Sequence, residues 1–297
     1  MKISVITPTG GRSLAFELCE LCMSKQTIQP YEWIVVDDYI VPTQCTMGQK
    51  VIRRQPFWET GQMTLQKNLL EALKVVTGDI IFIIEDDDWY SPNYIENMVK
   101  KIETLSEGKQ IGSSSLLIGE GRSLYYNIRN YTYYYFNNIN RSSLFQTAFT
   151  KDLIPQINYL LIKYQNKLYF DQYLWGQIKN CNKVTFLTKS PWSMGIKGLH
   201  AKRTAKTFGY LGELPFLDEK YFFLPQKIMG EQYANIYMYI SEQSNLREYT
   251  RTNQILLEEI NHWCDGSEGE RKYLTDQAVL IPLDPKKWPN CYYHKQT

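Results

Sequence analysis

Four consecutive carboxylates, Glu85-Asp86-Asp87-Asp88, follow directly on five apolar residues, Ile80-Ile81-Phe82-Ile83-Ile84. Acids packed this closely repel one another unless a cation sits among them. A divalent ion with oxygen ligands answers that need, and a diphosphate is its usual companion. The competing reading is a solvated acidic turn that caps the next helix, because Ser91-Pro92 is a good helix start. A second stretch, Thr7-Pro8-Thr9-Gly10-Gly11-Arg12, offers small residues whose backbone N–H groups can approach an anion, followed by an arginine that can pair with phosphate. Its spacing is not GxGxxG, so a nicotinamide cofactor is poorly supported. Asp37 and Asp38 could accept hydrogen bonds from a base N–H or from ribose hydroxyls. Lys67 and Asn68 could face the same cleft, and Lys197, Lys202, Arg203 and Lys206 form a positive patch with no acid among residues 190–212.

These groups need a frame, and the first hundred residues supply one. Strands are expected at Lys2–Thr7, Glu32–Asp37 and residues 79–85, with helices at Ser13–Lys25, Gln62–Val76 and Pro92–Leu105. The apolar run before the acids, rich in β-branched isoleucine, reads as a fully buried parallel strand. In the expected helix Gln62–Val76, Leu65, Leu69, Leu73 and Val76 fall on one stripe. The βαβαβα order predicts a parallel sheet with right-handed crossovers. Open sheets of this kind place ligands at the C-terminal ends of their strands, which is where all three acidic or glycine-rich segments fall.

Residues 39–60 read as irregular. Gln110–Ile118 and Leu124–Phe136 read as an antiparallel strand pair around Gly119-Glu120-Gly121, with helices at Lys151–Tyr164 and Tyr169–Lys179 and a strand at Lys183–Leu187. The tyrosines of 125–135 fit sheet packing, and alternatively a stacking platform for a sugar or base. Two helices near 228–242 and 246–262 predict a helical C-terminal extension. The expected division is a catalytic domain over 1–206 (a nucleotide-binding half, 1–108, and an acceptor half, 109–206) followed by the extension over 207–297.

A chain of 297 residues can bury a full core, and 43% hydrophobic with 22% charged residues is an ordinary globular composition. A net charge of +2 exerts no global pull on nucleic acid or anionic membrane. No run approaches the 18 apolar residues of a membrane span, and the N-terminal apolar run is too short for a secretory signal. The six cysteines are scattered. Cys19 and Cys22 have zinc-like spacing but share a helix face with Leu14, Leu18 and Leu21 and read as core thiols. A cytoplasmic protein is expected.

Taken in order, Val5-Ile6-Thr7-Pro8-Thr9, Trp33-Ile34-Val35-Val36-Asp37-Asp38, Gly61…Lys67-Asn68 and Ile83-Ile84-Glu85-Asp86-Asp87-Asp88-Trp89-Tyr90-Ser91-Pro92 resemble the GT-A-fold glycosyltransferases, in particular the family 2-like nucleotide-sugar transferases. The resemblance is strong over the first third of the chain and weak over two-thirds. It implies a GT-A (Rossmann-like) α/β fold and nucleotide recognition by Thr7, Pro8, Thr9, Arg12 and Asp37, with Asp38, Lys67 and Asn68 beside them. It also implies Mn²⁺ or Mg²⁺ on an Asp-X-Asp motif. The metal residues are drawn from Asp86, Asp87 and Asp88, in the register Asp86/Asp88 or Glu85/Asp87. Asp86, Lys197, Lys202 and Arg203 would also meet the donor diphosphate, and His200 would add a late ligand.

Tyr169-Phe170-Asp171-Gln172 looks like the segment that carries the acceptor base, although the family often has two acids there and this chain has only Asp171. The implied reaction is metal-dependent, inverting transfer of a sugar from a nucleoside-diphosphate sugar, a UDP-sugar being favoured, to an acceptor hydroxyl. A saccharide, a protein and a hydroxymethylated DNA base are candidate acceptors; Lys286-Lys287 and the tyrosine-rich strands would serve the last. The rivals are a nucleotidyltransferase and a non-catalytic sugar- or nucleic-acid-binding module.

Overall fold

The computed structural model describes residues 1–241 except 58, 60–62, 106–114, 168, 200–215, 219–222 and 240. The first elements are β1 (Ile3–Thr9), α1 (Ser13–Ser24), β2 (Glu32–Asp37), β3 (Lys50–Arg53), α2 (Leu65–Leu73), β4 (Ile80–Ile83), β5 (Trp89–Tyr90) and α3 (Tyr94–Leu105). There follow β6 (Leu116–Glu120), β7 (Arg122–Asn127), β8 (Thr132–Asn137), β9 (Thr147–Thr150), α4 (Ile154–Lys163), α5 (Phe170–Gln177), β10 (Asn182–Phe186), β11 (Ser193–Lys197), β12 (Phe216–Leu217) and α6 (Phe223–Met229).

The main sheet runs β10-β6-β9-β4-β1-β2-β3. Strand β1 lies parallel to β2 and to β4, and β2 parallel to β3. Strand β9 is antiparallel to both its neighbours, and β10 is parallel to β6. The second sheet runs β12-β8-β7-β11-β5, and its Leu124, Tyr126, Met194 and Ile196 join the same core as Phe16 and Met98. The result is the expected mixed α/β architecture, a central sheet flanked by helices.

Successive strand residues point to opposite faces, so each buried strand feeds two cores. Val5, Val35 and Phe82 join Phe16, Met98 and Ile102 on the side of α1 and α3. Ile6, Ile34, Ile81 and Ile83 join Leu69, Leu73, Ile157 and Leu174 on the side of α2, α4 and α5. Full burial of each such side chain contributes about 1.5–3 kcal/mol, so this strand trio is firmly held from both faces.

Several elements depart from expectation for local reasons. Residues 39–60 include β3, a four-residue edge strand with Lys50 and Val51 exposed, which leaves no alternating pattern to read. The expected single strand Leu124–Phe136 is a hairpin, β7 against β8, turned where Tyr131 adopts φ 56°. Gly119 and Glu120 lie inside β6, where a Cβ on Gly119 would run into the Ser142 side chain. The short strands β5, β9 and β11 carry no periodicity long enough to announce them.

Residues 231–239 are helical, and Ala234 and Tyr237 are fully buried against the first core. The compact unit that contains both sheets runs Met1–Ser244. The expected helix near 246–262 lies outside the described residues. Among the described residues no helix is long and apolar enough to cross a membrane.

Candidate functional site

Strands β1, β2 and β4 end at one edge, and the chain leaving β4 makes a tight acidic turn there. The turn is pinned from several directions. Ile84 N–H donates to the Ile6 carbonyl at 3.0 Å, which continues the sheet one residue past β4. Glu85 N–H donates to Tyr90 Oη at 2.9 Å, and Ile196 N–H on β11 donates to Asp88 Oδ1 at 2.8 Å. Tyr237 Oη, from the helix over 231–239, donates to the Asp88 carbonyl at 3.0 Å.

These contacts sort the four acids. Asp86 faces β1: Thr9 Oγ1 donates to its Oδ2 at 2.6 Å, and Arg12 Nη2 pairs with its Oδ1. Arg12 Nη1 reaches Asp87 Oδ2 at 3.1 Å. Glu85, Asp87 and Asp88 gather instead, each offering an oxygen within 4.8 Å of the others. Asp88 Oδ2 is buried and accepts no hydrogen bond. Among the described residues the cations in contact with or close to the turn are Arg12 and Lys197, against four carboxylates.

A divalent cation fits this arrangement. It would balance the excess negative charge and satisfy the orphaned oxygen, and the donors are the hard carboxylates that Mn²⁺ and Mg²⁺ prefer. The sequence placed Asp86 among the metal residues, whereas the structure engages it with Thr9 and Arg12 and brings Glu85 into the group.

The electrostatics follow from burial. Burial pushes the Glu85 carboxyl up to about 7; Asp87 adds to the rise, and Lys197 and Arg12 oppose it. Burial likewise raises Asp86 to about 7 against the pull of Arg12. Asp88 is held well above the carboxylate range by burial, with Lys197 opposing. For Lys197, burial disfavours the charge, but Asp88, Asp87 and Glu85 outweigh it and raise the ammonium pKa. The Lys197 ammonium also lies 5.4 Å from the Tyr125 ring centre.

A cleft of about 250 Å³ opens from this turn. Pro8, Thr9, Arg12, Glu85 and Lys197 line one part of it, Tyr125 and Phe145 another, and Tyr169 and Asp171 a third. Asp171 sits in the first turn of α5, mostly buried, with Arg141 Nε 3.6 Å from its Oδ2. Burial raises its pKa and Arg141 opposes the rise. The cleft therefore joins an acid group suited to a cation, the buried Arg12 and half-buried Lys197, both suited to phosphate, and a separate carboxylate with an elevated pKa.

Other expected residues take different places. Thr7 is fully buried, and its Oγ1 accepts the Trp33 indole N–H at 2.9 Å. Asp37 accepts Tyr39 N–H at 3.0 Å and Thr43 N–H at 2.7 Å and is paired with Arg53. Asp38 accepts Arg54 Nη2 at 2.8 Å and Asn68 Nδ2 at 3.0 Å. Both aspartates are thus engaged in shaping the ends of β2 and β3. Asn68 lines the cleft, and its neighbour Lys67, a helical step of about 100° away, is not among the lining residues. His200, Lys202 and Arg203 lie outside the described residues.

Sequence reasoning missed Arg53 and Arg54, although two adjacent buried acids at 37–38 demand two cations nearby. It also missed Tyr169 and the long-range bond from Tyr237, for which no local signal exists.

The 36% identity to the uncharacterized glycosyltransferase YwdF of Bacillus subtilis (strain 168) extends over 109 residues, 35% of this chain and 39% of that protein. A stretch of 37 residues, 11% of the chain, is 68% identical to the phosphoenolpyruvate carboxykinase [GTP] of Anaeromyxobacter dehalogenans (strain 2CP-C) and spans 6% of that enzyme. The chain thus spans well under two-thirds of either curated relative. The crystal structure of S. aureus TarS 1-349 aligns over 94% of this chain and 71% of that one, at 15% identity and a TM-score of 0.45. Residues 4–151 match the family described as Glycosyl transferase family 2. That span runs from β1 through the acidic turn to β9, and over it the chain belongs to glycosyl transferase family 2.

Proposed function

We propose that the chain is a glycosyltransferase that moves a sugar from a nucleoside-diphosphate sugar, a UDP-sugar first among candidates, to an acceptor hydroxyl. The observation that carries this reading is the single cleft shared by Glu85, Arg12, Lys197 and Asp171 within and beside the family 2 domain. Glu85, Asp87 and Asp88 are the residues that would hold Mn²⁺ or Mg²⁺. Bound there, the cation would supply positive charge against the diphosphate as it leaves.

The chain's own groups divide the remaining work. Arg12 is a buried and Lys197 a half-buried cation, and their charge acts on a diphosphate with reduced screening by water. Thr9 and Arg12 hold Asp86 and so fix the side of the turn facing β1. Asn68, bonded to Asp38 and Arg54, keeps the end of β2 closed against the cleft. Asp171 accepts the proton of the acceptor hydroxyl; its raised pKa makes it a better base than an exposed aspartate. Attack from the side opposite the leaving group inverts the anomeric carbon.

Asp171→Asn tests the assignment, because it keeps the shape and removes the base. Transfer is expected to fall by at least about a hundredfold, the usual contribution of a general base. Donor affinity, read by calorimetry with Mn²⁺, is expected to stay within about twofold, since no donor contact is assigned to Asp171. Full transfer by the variant removes Asp171 from the role.

A further inference from the structure

Tyr169 stands two residues before Asp171 with φ 56° and ψ 52°. This left-handed region crowds the Cβ of an L-residue, and only glycine, asparagine and aspartate enter it readily. The ring is also 66% exposed while lining the cleft. An exposed aromatic recovers nothing from core packing, so folding does not explain why a tyrosine holds this strained position.

Its neighbours do explain how the conformation is maintained. Phe170 is buried at 2% exposure in the core beneath α5, and Gln172 N–H donates to the Tyr169 carbonyl at 3.0 Å. The backbone is thus held on the C-terminal side of Tyr169, which lines the cleft together with Asp171. Strain of this kind, tolerated at a cleft, points to a ligand contact.

The chemistry around the ring identifies the ligand class. Asp171 can accept a hydrogen bond from a hydroxyl. Arg141, 3.6 Å away from it, can donate one. The exposed aromatic face accepts an apolar, C–H-bearing surface. A molecule with an apolar face and hydroxyls around its rim meets all three requirements, and a pyranose ring is such a molecule. A nucleobase would stack equally well on the tyrosine but carries no hydroxyl rim for the Asp171–Arg141 pair.

We propose that Tyr169 is the platform of an acceptor subsite for a saccharide, whose pyranose ring stacks on the phenol and turns a hydroxyl toward Asp171. The proposal rests on the glycosyltransferase reading for its link to catalysis, while its binding claim can be tested separately. The probe is a set of methyl pyranosides of gluco, galacto and N-acetylglucosamine configuration, added to the full chain with Mn²⁺ and a nucleoside diphosphate. Saturation-transfer NMR is expected to mark the C–H protons of at least one of them.

Tyr169→Ala is expected to weaken that binding at least tenfold, with Tyr169→Trp retaining it and the nucleotide Kd unchanged. Tyr169→Gly separates function from structure. Glycine relieves the left-handed strain, so Tm is expected to hold or rise by a few degrees while saccharide binding is lost. A fall of Tm in the glycine variant would show the ring to be structural and overturn the proposal. So would saccharide binding that survives Tyr169→Ala, or an oligonucleotide that binds through Tyr169 while no pyranoside does. Pyranoside binding through Tyr169 without sugar transfer from any nucleotide sugar would sink the glycosyltransferase reading and leave the subsite standing.

Discussion

Raising the pH from about 5.5 to about 7.5 without divalent cations is expected to destabilise the compact unit, and Mn²⁺ is expected to reverse most of the loss at the upper end. In the folded chain Glu85 and Asp86 keep their protons up to about pH 7. In the unfolded chain they release them near the ordinary value of about 4. Between those limits the folded state binds more protons, so its stability is full at the acid end and is lost as pH climbs through about 7.

Each retained proton is worth about 1.4 kcal/mol per pH unit. Released with a folded value of about 7, one proton shared across the coupled acids moves stability by about 2 kcal/mol over this window, or roughly 4–8 °C in Tm for a unit of this size. Mn²⁺ at a hundred times its Kd returns about 2.7 kcal/mol where the acids are ionised. At about pH 5.5 it must first displace protons, and its effect shrinks.

Glu120 provides an internal control. Its buried carboxylate, also pushed up to about 7 by burial, accepts hydrogen bonds from Thr188, Gln146 and the Trp192 N–H, with no arginine or lysine among its hydrogen-bond partners in the described residues. Glu120→Gln should remove part of the pH slope and leave the Mn²⁺ response intact. Thermal melts over pH with and without Mn²⁺ read both effects. A metal-free stability that rises with pH across this window would refute the reasoning, as would an Mn²⁺ shift no larger at about pH 7.5 than at about pH 5.5.

Tyr237→Phe keeps the ring in the core and deletes the hydroxyl's bond to the Asp88 carbonyl and its bond with the Cys22 side chain; a loss of about 1–2 kcal/mol in urea unfolding is expected, together with weaker Mn²⁺ binding by spin-resonance titration. Thr7→Val strips the Trp33 indole of its buried acceptor and should cost about 1–3 kcal/mol, with a smaller effect on donor Kd than Thr9→Val, which frees Asp86. Gly195→Ala drives a Cβ into the Tyr125 ring; overpacking of about 1–3 kcal/mol is expected, and loss of nucleotide affinity should follow as the ring beside Lys197 shifts.

The parallel block was legible because its strands are buried on both faces and its helices keep a single apolar stripe. Continuous apolar runs mark β1, β2 and β4, and a period of 3.6 residues marks the helices between them. Strands β5 and β9 were not legible. Two or four residues carry no period, and β9 is held by its neighbours Ile81 and Leu117 rather than by its own pattern. The hairpin after residue 121 was hidden by uniform β propensity, since tyrosines fill both arms and the turn between them. In the site, the glycine-rich segment, the acids and Asp171 were found by residue type. What residue type could not tell was which way each carboxylate turns.

Orientation is decided by partners far away in sequence. Asp86 is claimed by Thr9, 77 residues earlier; Asp88 by the Ile196 amide, 108 residues later, and by Tyr237, 149 residues later. Thr9 belongs to a stretch that the sequence singles out, whereas Ile196 and Tyr237 have no recognisable motif, and three of the four bonds that pin the turn join a backbone group to a side chain. Yet together they fix the turn in the arrangement that leaves Glu85, Asp87 and Asp88 converging. Had Asp86 been free to rotate inward, Arg12 would have lost its strongest partner and the buried guanidinium would have drawn the remaining acids onto itself. Thr9 and Asp86 therefore act on the metal group indirectly, by occupying Arg12. Asp86→Asn is accordingly expected to lower Mn²⁺ affinity, and Thr9→Val should do so to a lesser degree. If both variants bound Mn²⁺ as the parent chain does, the turn would not depend on its β1 partners.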